Sequence, residues 1–143
     1  MRLALPVHKF PPESLGGTEI YTRTLACALV QAGHTVAVFY PSTTVQQLTQ
    51  DEMPEGIQRW RAPLAAARTH EDPIRQFWHT FRDQAIERAF TTFLQDFQPD
   101  LVHFQHVQGV SARLIEQAAG RPRLATLHDY WYFCANSQLI RPD

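Results

Sequence analysis

Cysteine is scarce in this chain, with only Cys27 and Cys134 among 143 residues. Two thiols supply neither a disulfide framework nor the ligand set of a structural zinc site. Cys27, set between Ala26 and Ala28, reads as a small buried thiol. Neither sign of charge prevails: thirteen basic residues stand against fourteen acidic ones, for a net charge of −1. Without a basic stripe, nucleic acid is not an expected partner. Long hydrophobic runs are missing as well. No stretch approaches the ~20 apolar residues of a membrane-spanning helix, and Met1-Arg2-Leu3-Ala4-Leu5-Pro6 is too short for a secretory leader. The expected setting is cytoplasmic, and peripheral contact with the inner membrane face is compatible with it. Glycine is sparse too, and no Gly-x-Gly-x-x-Gly follows the first apolar segment. That absence argues against an NAD-dependent dehydrogenase domain.

What is present is the alternation of an α/β protein. A hydrophobic fraction of 44% suits one globular domain. Arg2 to Val7 is a short apolar run, read as a first strand. Pro11, Pro12, Gly16 and Gly17 punctuate a loop. Tyr21, Leu25, Ala28, Leu29 and Ala32 recur at helical spacing, and Gly33 follows as a left-handed stop. Thr35 to Tyr40 is rich in strand formers, and Pro41 is expected to end it. Ser42 to Gly56 reads as polar surface loop and Ile57 to Arg61 as a third strand. Asp72-Pro73 is a helix start. Ile74, Phe77, Trp78, Phe81, Ala85, Ala89, Phe93 and Phe97 then form a stripe at spacings of three and four. This predicts one core-facing helix about 37 Å long, closed by Pro99. Strands at 101–105 and 123–127 flank a short helix stopped by Gly120. The expected architecture is a Rossmann-like parallel sheet, strand order 3-2-1-4-5, with helices on both faces.

In a sheet of that order the switch point lies between strands one and four, and ligands bind outside the carboxyl ends there. Three loops leave those ends: His8 to Gly17, Gln105 to Gly109, and His128 to Trp131. Polar and aromatic residues gather in all three. Gly16-Gly17 precedes Thr18 at a helix N-terminus, where unsatisfied amides suit a diphosphate; a plain turn accounts for the same residues. Glu19, in the first helical turn, also reads as a dipole-favoured cap. His106 is the site candidate of its strand, whereas His103 reads as packed and hydrogen-bonded. A metal centre from His103, His106, His128 and Asp129 is not expected, because residues three apart on a strand point to opposite faces.

Four segments together resemble a known family. They are Gly16-Gly17-Thr18-Glu19, Ala32-Gly33-His34-Thr35-Val36, Pro99-Asp100-Leu101-Val102-His103, and Thr126 to Trp131 with Cys134. In this order they are similar to retaining glycosyltransferases of family four, which have the GT-B fold, and the last segment is closest to bacterial polysaccharide-type members. The resemblance implies an N-terminal, acceptor-side domain over residues 1–143. Its donor-binding C-terminal domain would lie beyond them, and the 143 residues alone would give no turnover. It further implies transfer of a sugar, with retention, from a nucleotide-sugar donor to a glycan, a lipid-linked sugar or a small molecule, with no metal or other cofactor. His128 would be the catalytic residue at the donor sugar, and Gly16, Gly17 and Thr18 would meet the donor diphosphate. Glu19, Gln105, His106, Asp129, Tyr130 and Trp131 would line the acceptor side. Gln105 stands where many such enzymes carry another histidine. The competing reading is a non-catalytic sugar- or nucleotide-binding module of the same fold.

Overall fold

The computed structural model describes residues 1–65, 72–131, 133 and 134. Its elements run β1 (Arg2–Pro6), α1 (Gly17–Gln31), β2 (Thr35–Ser42), β3 (Thr49–Glu52), β4 (Ile57–Pro63), α2 (Pro73–Phe81), α3 (Gln84–Phe97), β5 (Leu101–Phe104), α4 (Arg113–Gln117) and β6 (Arg123–Ala125). The sheet order is β3-β4-β2-β1-β5-β6. Setting aside β3, this is the expected 3-2-1-4-5 order, and every pair within it is parallel.

Period-two alternation divides β1 and β2 between two cores. Leu3, Leu5, Val36, Val38 and Tyr40 face one side with Ala26 of α1. Ala4, Ala37 and Phe39 face the other with Ile86, Phe90, Phe93 and Phe97 of α3 and Leu114 of α4. Helices therefore cover both faces, as expected. Gly33 terminates α1 at φ +84°, and the amides of Gly33 and His34 turn back to the carbonyls of Val30 and Leu29. A side chain at that φ would be strained, which is why glycine stops the helix there. Cys27 is half-buried against the α1-side core, and Cys27 and Cys134 are not joined in a disulfide. Among the described residues no helix is long and apolar enough to cross a membrane.

Three local expectations are corrected. Pro41 does not end β2, which continues to Ser42. The Phe39 carbonyl faces β1, where it accepts from Val7, so Pro41 also faces that side. β1 has already ended opposite Phe39, and the missing proline N–H forfeits no ladder bond. The 42–56 segment is not all loop, because β3 pairs antiparallel with β4. The polar sequence Thr-Gln-Asp-Glu hides this edge strand. It is held instead by Asp51, which accepts from Arg59 at 2.6 Å and from Arg61 at 2.5 Å.

The aromatic stripe, finally, belongs to two helices. Arg82 is extended (φ −152°), and Asp83 caps a new helix, accepting from the amides of Ala85 (3.0 Å) and Ile86 (3.2 Å). Glu87 reciprocates by accepting from the Asp83 amide at 2.9 Å, an arrangement akin to a capping box. The change of direction splits the stripe. Phe90, Phe93 and Phe97 are buried, whereas Ile74, Phe77, Trp78 and Phe81 on α2 are exposed. The first half of the stripe is thus surface, not core. Accordingly, Phe90→Ala should cost about 3–5 kcal/mol, while Trp78→Ala should stay within about 0.5 kcal/mol of the parent. Urea unfolding of the two variants checks the division, and comparable losses would contradict it.

Candidate active site

The crevice forms where β1 and β5 run side by side. Beyond Pro6, Val7 makes a parallel bridge to His106, and the Gln105 amide donates to the Pro6 carbonyl at 2.9 Å. This register sets His8 beside His106, with ring centroids 4.8 Å apart, edge to face. β6 then brings the segment 126–131 to the same edge, anchored by the Thr126 amide on the Phe104 carbonyl at 2.9 Å. His103 is satisfied within the sheet by Thr126 Oγ1 at 2.8 Å.

α1 supplies the floor of the crevice. Gly16 is its N-cap, in extended conformation (φ −101°, ψ 176°), so no left-handed backbone demands glycine there. What demands it is Glu19, whose Oε2 would lie 2.4 Å from a Cβ at position 16. The Glu19 carboxylate folds back over Gly16, is buried, accepts from Ser14 Oγ at 2.8 Å and lies 3.7 Å from His8 Nε2. Burial pushes its pKa up, but the hydrogen bonds from its own amide and Ser14, helped by His8, prevail and hold it below the usual carboxylate value. A negative charge thus already sits at this helix N-terminus, where it favours the dipole. Gly17 is different: nothing lies within 4 Å of where its Cβ would be. Thr18 is half-buried, with its carbonyl accepting from Thr22 Oγ1 at 2.7 Å.

The loops after β5 and β6 supply the far wall. His106 is buried, with Nε2 3.3 Å from Gln108 Oε1 and 3.7 Å from Asp129 Oδ2. The second Asp129 oxygen accepts from the Trp131 amide at 2.8 Å, a local turn that fixes the loop. The Trp131 ring packs edge-on to His106 with centroids 5.9 Å apart, and Tyr130 is exposed at the rim. Gln105, expected on the acceptor side, is instead fully buried. Its Nε2 donates to the His103 carbonyl at 3.4 Å and its Oε1 accepts from His128 Nε2 at 3.3 Å. It braces His128 from behind. The front of His128 meets Tyr21 of α1, ring centroids 5.0 Å apart.

Two contributors escaped the sequence reading. His8 appears there only as the start of a loop, although the first residue past a strand at the switch point is the position best placed for a ligand. Tyr21 falls on the apolar spacing of α1, but it is exposed and its ring packs on His128.

His8 and His128 are both held below the usual imidazole value. Burial, reinforced by His106 and opposed by Glu19, pushes His8 from the usual 6.5 to about 4. Burial followed by His106 lowers His128, with Asp129 opposing. The Nδ1 atoms of His8 and His106 are buried without a hydrogen-bond partner. Imidazoles, two carboxylates and aromatic edges form a hydrogen-bonding array suited to a hydroxylated ligand. Among the described residues no group of three or more His, Cys, Asp or Glu is arranged to hold a metal ion.

A doubly wound parallel sheet with a polar, aromatic-lined crevice at its switch point defines a Rossmann-like ligand-binding domain. The chain belongs to the glycosyl transferase 4-like domain family, whose sequence profile matches residues 16–142. It is 24% identical over 152 aligned positions to an uncharacterised 42.6 kDa protein in the cps region of Klebsiella pneumoniae, covering 99% of this chain and 40% of that protein. Its fold matches sucrose-phosphate synthase from Thermosynechococcus elongatus with a TM-score of 0.67 at 21% identity, covering 96% of this chain and 36% of that one. The chain therefore spans well under half the length of these relatives, and its fold is the GT-B half-domain expected.

The depressed His8 pKa makes a stability statement. Between about pH 6.5 and 4 the unfolded chain binds a proton at His8 that the folded chain refuses, so stability falls as pH drops through that window. The full effect is about 3 kcal/mol. Thermal unfolding from pH 7.5 to 4.5 should show a falling Tm, flattened in His8→Asn. An unchanged slope in the variant would remove His8 as its source.

Proposed function

We propose that this domain forms the acceptor-side wall of a glycosyltransferase cleft, in which a sugar passes from a nucleotide-sugar donor to a glycan, lipid-linked sugar or small-molecule acceptor with retention at the anomeric carbon. The observation that carries the reading is the placement of His128. β6 delivers it to the crevice edge, Gln105 holds it from behind, and its pKa is lowered. With Nε2–H donating to Gln105 Oε1, the neutral ring offers the Nδ1 lone pair outward. That lone pair accepts from a hydroxyl of the donor sugar. As the bond from the sugar to the diphosphate breaks, positive charge develops on the ring and its hydroxyls become stronger donors. The contact strengthens in the transition state, which is what accelerates a reaction.

Replacing His128 by Ala in the full-length enzyme should lower kcat by about 10²-fold while the fold survives, because the residue sits on a loop at the rim. Near-normal nucleotide release, or failure to fold, would remove the catalytic role. Binding of a nucleotide sugar with no turnover in the parent enzyme would favour the non-catalytic binding module instead.

Gly17 provides the second test. The open space at its Cβ position means Gly17→Val meets no steric obstacle within the domain. If its amide approaches the donor diphosphate at the head of α1, the isopropyl group obstructs the ligand alone. Donor KM should rise with Tm nearly unchanged; an unaltered donor KM leaves Gly17 as an ordinary turn residue. Gly16 is already occupied by the approach of Glu19, so its substitution would not isolate a diphosphate contact.

A further inference from the structure

One strand over from the crevice, the carboxyl ends of β1 and β2 enclose a cavity of about 340 Å³, within the size range of small-molecule sites. Its floor is apolar: Phe10 and Pro41 are buried and Leu64 is half-buried. Hydroxyls and a carboxylate line it as well. Ser42 Oγ and Thr44 Oγ1 are 2.8 Å apart, and Glu13 Oε1 accepts from Thr44 Oγ1 at 3.3 Å and from the Tyr40 hydroxyl at 3.4 Å. Lys9 also lines it, and its charge balances that of Glu13.

A lining that combines apolar side chains with hydroxyls and a carboxylate, with no net charge, matches a neutral sugar ring. Such a ring presents C–H faces to apolar surface and hydroxyls around its edge. The cavity also shares two residues with the crevice. His8 lines it and packs on His106 at 4.8 Å. Ser14 lines it and donates to Glu19 at 2.8 Å. His8 and Ser14 thus touch both spaces.

We propose that this cavity is a second acceptor subsite, holding the sugar ring next to the one that receives the transferred sugar. The acceptor is then a glycan of at least two rings, and single sugars fill only half of its site. The inference rests on the sugar-transfer reading above. His8 acts as the divider that keeps the two rings in register, and its neutral state spares a hydroxylated ligand from facing a buried charge.

The test uses the ¹⁵N-labelled full-length protein. Gluco-, galacto- and manno-configured disaccharides are titrated beside the corresponding methyl monosaccharides, and amide shifts are read at Lys9, Ser42, Thr43 and Thr44 and at His106 to Gly109. At least one disaccharide should shift both groups of amides and bind about tenfold more tightly than its monosaccharide. The exposed Thr44→Phe change should erase the cavity shifts and bring disaccharide affinity down to that of the monosaccharide. Cavity amides that stay unmoved by every neutral sugar, or that respond to UDP instead, would overturn the proposal. Nucleotide release from a panel of UDP-, GDP-, ADP- and dTDP-sugar donors by the unsubstituted protein is measured separately. Its absence defeats the transfer reading, whereas turnover without cavity shifts defeats the subsite alone.

Discussion

The crevice depends on the pairing of β1 with β5. These strands are separated in sequence by everything from Val7 to Asp100, yet they meet at Leu3–Leu101 and Ala4–Val102, and past the strand ends at Val7–His106. That last bridge fixes the register of the two loops that carry His8 and His106. The chain departs from β1 toward β2 on one side and returns to β5 on the other, so the loops part and leave space between them. The apolar alternation of β1 supplies the energy for this arrangement, burying Leu3 and Leu5 in one core and Ala4 in the other. A one-residue slip would exchange those faces and carry both histidines out of the crevice.

Strand order, helix placement and the convergence of three loops were legible because they rest on apolar periodicity and on Gly33. β3 was not, since an edge strand facing water needs no apolar pattern and is held here by Asp51 with Arg59 and Arg61. The break between α2 and α3 was hidden for a different reason. The stripe passes from Phe81 to Ala85 at a spacing that fits an unbroken helix, and only the reciprocal pairing of Asp83 with Glu87 reveals a new start. Within the crevice, sequence order brought Gln105, His106 and His128 to the right edge, but not their orientations. Gln105 turns inward because β5 ends at Phe104 and its amide finds the His103 carbonyl. Tyr21 reaches His128 from a helix face that one-dimensional spacing assigns to the core.

The charge distribution of the site follows from unequal solvation. Glu19 is as buried as His106, yet it keeps its charge because an amide, a hydroxyl and a helix end all point at it. His8 receives no comparable support and gives its proton up. The Glu19 charge therefore lies on the α1 side, facing hydrogen-bonding imidazoles and the Asp129 carboxylate on the β5 and β6 side. A hydroxylated ligand suits the second wall, and the head of α1 has open space at the Cβ position of Gly17.

The contact between Gly16 and Glu19 also ties two positions into one inheritable unit. A methyl group at 16 is compatible only with a carboxylate that has moved away, and a carboxylate that moves away abandons Ser14 and His8. Changes at 16 and 19 should therefore be strongly non-additive: each alone disturbs the Ser14–Glu19 hydrogen bond and the contact of Glu19 with His8, while a shorter acid at 19 makes room for a larger residue at 16. Lineages descending from this sequence would be expected to alter the two together or not at all, leaving a covarying pair at the mouth of the first helix.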